Sequence, residues 1–239
     1  MAQSERLSQA VILAGGFGTR LGDLTSHTPK PLVSVNGRPF MEYQLRLLSR
    51  HGVTEAIILT GHLGEQIESI FGTGEALGLM LQYSREPQPL GTGGALALAE
   101  RLLKPAFFLV NGDTYLDMDY QAAARGFANL RAPGPSGLMV VWDAECAADV
   151  GNVKLDPTST RVTSYSKGKG GDHLYIDAGV LILTKSVLDF IPKGRYAGLE
   201  EYVFPRLAEE GRLLAFESPT RFYDIGTRER LALFERSIS

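Results

Sequence analysis

The stretch that decides the fold is Gln9-Ala-Val-Ile-Leu-Ala-Gly-Gly-Phe-Gly-Thr-Arg-Leu21. Gln9–Ala14 is apolar at nearly every position rather than at alternate ones, as a strand is when both its faces are covered. It stops on Gly15, Gly16 and Gly18, a turn in which the backbone can come close to whatever lies in front of it. Outward from this point, Pro39 opens a helix whose Met41, Leu45 and Leu48 share a face, and Gly52 ends it. Thr54–Leu59, Leu79–Tyr83 and Ala106–Val110 read as strands, and Glu65–Phe71, Ala95–Leu103 and Ala122–Leu130 as helices. Ala132–Gly137 is a loop and Leu138–Trp142 a strand. Gly151–Tyr165 has a hairpin pattern turning at Asp156-Pro157. Tyr175–Leu183 is a strand followed by a helix, Glu200–Glu209 a helix, Leu213–Phe216 a strand and Thr227–Ser237 a terminal helix. Strands alternating with helices predict an α/β sandwich. Its central sheet should be mostly parallel, with a small antiparallel extension after about residue 150. No composition shift marks a linker, so residues 1–239 are expected to form a single domain.

The chain has 239 residues, with 24 Lys and Arg against 27 Asp and Glu, a formal net charge of -3. That balance disfavours a protein that coats phosphate backbones, so nucleic acid is not an expected partner. One cysteine, Cys146, excludes an internal disulfide framework and a multi-cysteine zinc site. The apolar run behind the first residues ends at glycine, too short for a signal peptide or a membrane span. The expectation is a soluble, cytoplasmic protein with no membrane contact. His27, His51, His62 and His173 have no ligand spacing and read as loop or surface residues. Trp142 reads as core, and Cys146 has no histidine partner in sequence.

The chemistry is concentrated around the first turn. Arg20 and Lys30 add two permanent positive charges to its three glycines, and Pro29 and Pro31 restrict the backbone that carries Lys30. Glycine amides with an arginine and a lysine suit a polyphosphate. A Walker A loop would need Gly-Lys-Ser/Thr, but Arg20-Leu21 stands where that lysine belongs. A dinucleotide fingerprint would need glycine at Leu21 and an acid near Thr60, so it fails twice. A plain strand-to-helix turn would use the glycines but has no need of Arg20 and Lys30.

With G-G-x-G-T-R-L and P-K-P both present, the sequence resembles the sugar-1-phosphate nucleotidylyltransferases over nearly its whole length, Val11 to Leu231. Within that family it looks most like the bacterial manno-heptose 1-phosphate guanylyltransferases. The resemblance implies a Rossmann-like three-layer sandwich, an NTP and a sugar 1-phosphate as substrates, Mg²⁺ as cofactor and pyrophosphate as product. It implies a nucleotide-binding half at about 1–115 and a sugar-phosphate-binding half at about 116–239. By position, Leu13, Ala14, Gly15, Gly16, Gly18, Thr19 and Gly112 belong with the nucleotide. Gly91 and Thr92, in Pro89-Leu-Gly-Thr92, lie where the family reads the base. Asp113 follows an apolar strand, where ligands bind in open α/β sheets. Asp113 and Asp224 match the family's metal-holding aspartates, and two carboxylates beside substrate phosphates suit Mg²⁺. Gly151, Lys167, Asp177 and Glu200 take the positions of sugar-phosphate ligands. Ser166 stands where the family has an acid and Asp177 where it has an asparagine; an ionised Asp177 accepts a hydrogen bond but cannot donate one.

The expected reaction is attack by a sugar-1-phosphate oxygen on the α-phosphorus of an NTP, with Arg20, Lys30 and Asp113 as the catalytic set. Arg20 would hold the leaving pyrophosphate, and Lys30 the α-phosphate. GTP is the favoured nucleotide, with uridylyl transfer to a hexose or amino-sugar 1-phosphate as the alternative. A non-catalytic sugar-nucleotide sensor and a nicotinamide-dependent oxidoreductase are the readings outside this class. A homodimer is left open.

Overall fold

A computed structural model describes residues 6–129, 134–147, 150–166 and 173–238 of the chain. The opening stretch forms β1 (Gln9–Ala14), a glycine turn and a 3-10 helix at Thr19–Thr25. There follow β2 (Ser34–Val35), β3 (Arg38–Pro39), α1 (Phe40–Arg50), β4 (Glu55–Thr60), α2 (Gly64–Phe71), β5 (Met80–Arg85), α3 (Gly91–Leu98) and β6 (Ala106–Asn111). The next segment holds β7 (Thr114–Tyr115), α4 (Tyr120–Ala128), β8 (Gly137–Asp143) and α5 (Ala144–Ala147). The hairpin is β9 (Val153–Leu155) and β10 (Val162–Tyr165), then comes β11 (Tyr175–Thr184). The chain closes with α6 (Leu199–Tyr202), α7 (Phe204–Glu209), β12 (Leu213–Glu217), β13 (Tyr223–Asp224) and α8 (Arg228–Ser237).

The main sheet runs β10-β9-β11-β6-β1-β4-β5, with β8 and then β12 branching from β11. β1 pairs in parallel with β4 and β6, and β4 with β5. β11 runs antiparallel to β6 and β8, so the antiparallel portion begins before residue 150 in the chain and is larger than expected. Alternate residues of each strand divide between two cores. Ala10, Ile12 and Ala14 face Met41, Leu45, Ile67 and Tyr120 of α1, α2 and α4. Val11 faces the other way, with Leu96, Phe204 and Leu207 of α3 and α7. Helices therefore cover both faces, which is why the strand is apolar throughout. Filling each such position contributes about 1.5–3 kcal/mol. A smaller third core docks α8 through Leu231 and Phe234 against Leu21, Phe40 and Ile225.

Four local readings need correction. The helix expected from Ala95 begins at Gly91, because the amides of Gly93 and Gly94 find a distant acceptor in the carbonyl of Ala197, 2.8 and 3.1 Å away. The helix expected over Glu200–Glu209 is broken at Val203, with Pro205 lacking the N–H needed to continue the first helix into the second. The segment after β11 is a 3-10 helix, Lys185–Phe190. Trp142 is half-buried rather than core, with the Arg221 guanidinium 5.7 Å from its ring centre. Among the described residues no helix is long and apolar enough to cross a membrane.

The strand order positions the site. From β1 the chain steps to β4 and β5 on one side, then returns to β6 on the other. Connections thus leave the carboxyl ends of β1 and β6 in opposite directions, and a crevice opens between them.

Candidate active site

A cleft of about 530 Å³ occupies that crevice. Its floor is the turn Gly15–Gly18 after β1 and the turn Asn111-Gly112-Asp113 after β6. The two turns are stitched by the Gly112 amide donating to the Leu13 carbonyl, 3.0 Å. A β-carbon on Gly112 would run into that same carbonyl, so glycine is required for the close approach of the two turns. Gly18 is left-handed, φ 65°, and starts the 3-10 helix that carries Arg20. Its carbonyl takes the Thr25 hydroxyl at 3.0 Å, which closes the turn. The Phe17 ring is exposed at the tip, 5.3 Å from His62.

Lys30 lies in a single 3-10 turn bracketed by the two prolines, with Leu32 N–H bonded to the Pro29 carbonyl at 2.8 Å. Its Nζ donates to Asp113 Oδ2 at 2.5 Å, and the lysine side chain is only 11% exposed. The pair fixes an ammonium group in the cleft with little freedom left to lose. Arg20 lines the same cleft, and its guanidinium lies 3.4 Å from where a β-carbon on Gly226 would be. The tighter neighbour is Asp224 Oδ1, 2.7 Å from that point, so Gly226 makes room for the Asp224 carboxylate while Arg20 lies in ordinary contact.

Asp224 reaches the site through a two-residue ladder that periodicity cannot detect. β13 pairs antiparallel with β7, Tyr223 opposite Tyr115 and Asp224 opposite Thr114, and Ile225 N–H donates to the Asp113 carbonyl at 3.0 Å. Asp113 and Asp224 are thereby neighbours in space, although they are far apart in sequence. Asp224 Oδ1 accepts from the Gly226 amide and Oδ2 from Arg230, both at 2.7 Å. It stands behind the cleft wall, among Trp142, Arg221, Tyr223 and Arg230. Among the described residues no group of three or more His, Cys, Asp or Glu side chains is arranged to hold a metal. Two carboxylate donors still fit a magnesium ion, which takes one or two carboxylates and completes its shell with water and substrate phosphates.

The other wall comes from the Pro89–Gly94 loop and from Tyr196 and Glu200. Glu200 abuts Asp177: burial pushes the Asp177 carboxyl up to about 7, and the nearby Glu200 charge adds to the rise. Asp177 Oδ1 accepts from the Gly179 amide at 2.9 Å, at a bulge where β11 slips register against β8. Its own amide donates to Asn152 Oδ1 at 2.8 Å, and the Asn152 carbonyl takes the Ser166 amide at 2.9 Å. The next residue, Gly151, is packed so tightly on the His173 carbonyl that no β-carbon fits. Asp177 and Gly151 sit beside the cleft rather than on its lining. Lys167 lies outside the described residues. Leu13, Ala14, Gly15, Gly16, Gly18, Thr19, Arg20, Lys30, Gly91, Thr92, Gly112, Asp113 and Glu200 all line it.

Two further residues belong to this site, and neither was singled out from sequence. Glu86 accepts the Leu90 amide on Oε2, 2.8 Å, while Oε1 lies 2.8 Å from where a Gly15 β-carbon would be. A carboxylate thus stands at the glycine turn, and burial raises its pKa above the ordinary carboxylate value. Gln44 is buried on the apolar face of α1 and donates to the carbonyls of Asn111, 2.8 Å, and Thr114, 2.6 Å. It clamps the turn that carries Asp113. A polar residue on an otherwise apolar helix face was the available signal.

Comparison with known proteins agrees with this geometry. Residues 9–237 match the family described as Nucleotidyl transferase. The mannose-1-phosphate guanyltransferase beta-B of Xenopus laevis is 34% identical over 223 residues, 91% of this chain and 61% of that protein. The mannose-1-phosphate guanylyltransferase of Mycobacterium tuberculosis is 33% identical over 92% of this chain and 61% of its own length. The chain thus spans about three fifths of the length of these curated relatives. HddC from Yersinia pseudotuberculosis matches in structure with a TM-score of 0.82 at 26% identity, covering 98% of this chain and 100% of that one. Its complex with GMP-PN gives 0.80 at 27% identity. With the glycine turn, the Pro-Lys-Pro lysine and the strand-end aspartate gathered in one crevice, and with the match running across the whole sheet, the chain belongs to the nucleotidyl transferase family.

Proposed function

We propose that this chain transfers a guanylyl group from GTP to a manno-configured sugar 1-phosphate, releasing pyrophosphate. The observation that carries the reading is the convergence of the glycine turn, Arg20 and the Lys30–Asp113 pair in one cleft, with Glu200 on its wall. In the reaction a sugar-phosphate oxygen forms a bond to the α-phosphorus while the bond to the β-phosphate oxygen breaks. The electron pair leaves with pyrophosphate. The nucleophile is already an anion, so the obstacle is repulsion between phosphates. Each pair of unit charges at ~4 Å costs roughly 4 kcal/mol at an effective dielectric near 20. Arg20 meets the leaving phosphates. Lys30, held by Asp113, meets the α-phosphate without reorganising as charge develops there. Asp113 and Asp224 would hold magnesium, which supplies further charge neutralisation when bound.

Guanine is favoured by Glu86. A carboxylate only accepts hydrogen bonds, and guanine offers adjacent N1–H and 2-amino donors. Manno-heptose 1-phosphate is the acceptor that the sequence resemblance implies, with Lys167 on its phosphate and Gly151, Asp177 and Glu200 around its hydroxyls. Mannose 1-phosphate is the second reading, since the vertebrate and mycobacterial relatives carry that sugar in their names. Four nucleoside triphosphates assayed against mannose, manno-heptose, glucose and N-acetylglucosamine 1-phosphates decide this. GTP with a manno-configured acceptor should release pyrophosphate fastest. A preference for UTP, or release with no sugar phosphate present, would overturn the reading.

A further inference from the structure

We propose that Thr92 is a positioning residue for Glu200, setting the sugar-phosphate side of the cleft rather than reading the nucleotide with its side chain. The inference rests on the guanylyl-transfer reading above. Thr92 lies in the glycine run that lines the nucleotide side, yet its hydroxyl turns across the cleft wall. It accepts from the Leu199 amide at 2.8 Å and donates to Glu200 Oε2 at 2.8 Å. A hydroxyl has one proton, and here that proton is spent on Glu200. The amide-to-hydroxyl-to-carboxylate chain is charge-assisted at its far end, which makes it stronger than a bond between neutral groups.

The same contact explains how α6 starts. Its N-cap, Gly198, has no side chain to cap with, and Thr92 supplies from another segment the acceptor that the Leu199 amide needs. The two segments are joined further by Ala197, whose carbonyl takes the amides of Gly93 and Gly94 and whose amide donates to the Leu90 carbonyl at 2.8 Å. β-carbons at Gly91 and Gly93 would meet the Ala197 carbonyl at 2.6 and 3.0 Å, so these glycines serve the junction. Glu200 is therefore oriented from the nucleotide loop. Burial is the main cause that raises the pKa values of Asp177 and Tyr165, and the nearby Glu200 charge adds to both. A shift in the Glu200 carboxylate plane would change the wall that it gives to the cleft and the field it exerts on Asp177.

The test is steady-state kinetics of the full chain with GTP and the preferred sugar 1-phosphate, using Thr92→Val, Thr92→Ser, Glu200→Gln and Thr92→Val/Glu200→Gln. Removing the hydroxyl should raise KM for the sugar phosphate ~10-fold, the scale for one charge-assisted hydrogen bond. KM for GTP should move less than ~2-fold and the melting temperature little. Serine, which keeps the hydroxyl, should restore the sugar-phosphate KM. In the Glu200→Gln background the valine change should add much less than it does alone. Equal losses for both substrates, a loss confined to GTP, or full additivity in the double variant would overturn the proposal while leaving the activity intact. A wild-type protein that forms no nucleotide sugar with any acceptor would overturn the underlying reading, and this proposal with it.

Discussion

On the function proposed above, the nucleotide side and the sugar side of this cleft are built in different ways. On the nucleotide side, contiguous residues do the work: Gly15–Gly18, Arg20 and Lys30 follow β1 within one stretch, and Asp113 stands two residues past β6. Two hydrogen bonds, Gly112 to Leu13 and Lys30 to Asp113, lock these pieces together. On the sugar side, Asp177 lies at a bulge, Glu200 is the second residue of a four-residue helix, and each depends on groups from other segments. The charged side is thus fixed by short hydrogen bonds between two strand-end turns. The side proposed for the sugar phosphate is assembled from contacts among several segments.

The largest expected effect strikes the charged side. Lys30→Ala or Asp113→Ala should lower turnover by at least ~100-fold, the scale for losing one fixed electrostatic contact, with GTP and magnesium saturating. A variant that kept near-normal turnover would remove that residue from the reaction. Glu86→Gln sharpens the comparison, because it probes base choice without touching the phosphates. It should cut the GTP-over-UTP ratio of kcat/KM by ~10-fold, since a site built to accept hydrogen bonds loses discrimination when one acceptor becomes a donor. An unchanged ratio would place the base elsewhere.

The smallest effect belongs to the sugar side and appears as a pH dependence of stability. Asp177 is raised from 3.8 to about 7 by burial, with the Glu200 charge adding to it. Folding therefore favours its neutral form. The stability it contributes is complete below its ordinary pKa and is lost as pH climbs through about 7. Melting temperatures of the wild type should fall relative to Asp177→Asn between about pH 4 and about pH 7, and run parallel to it above that. Parallel curves between those two values as well would show that Asp177 is already ionised in the folded protein. Near neutrality, a protonated Asp177 can also donate a hydrogen bond, as the asparagine usual in the family does.

The same contrast explains what was legible in the sequence. β1 and its glycine turn, and β6 running into Asp113, were readable because a strand buried on both faces is apolar throughout and glycine marks where it ends. The start of α3 was missed because Ala197, about a hundred residues away, supplies the acceptor for its first amides. β7 and β13 are two residues each, too short for any periodicity, so sequence suggested a pairing of Asp113 with Asp224 only through family resemblance. Gln44 and Glu86 escaped notice because their value lies in which carbonyls and glycines they meet. That is a property of the folded chain.

The central claim is that one cleft holds two substrates, the nucleotide at the glycine turn and the sugar phosphate toward Glu200. Initial rates of pyrophosphate release, with GTP and the sugar 1-phosphate varied in turn, test it most directly in Arg20→Ala and Glu200→Gln. The account predicts that the arginine variant loses kcat and apparent affinity for GTP, while the glutamate variant raises KM for the sugar phosphate alone. If both variants impaired the same substrate, the division of the cleft would be contradicted.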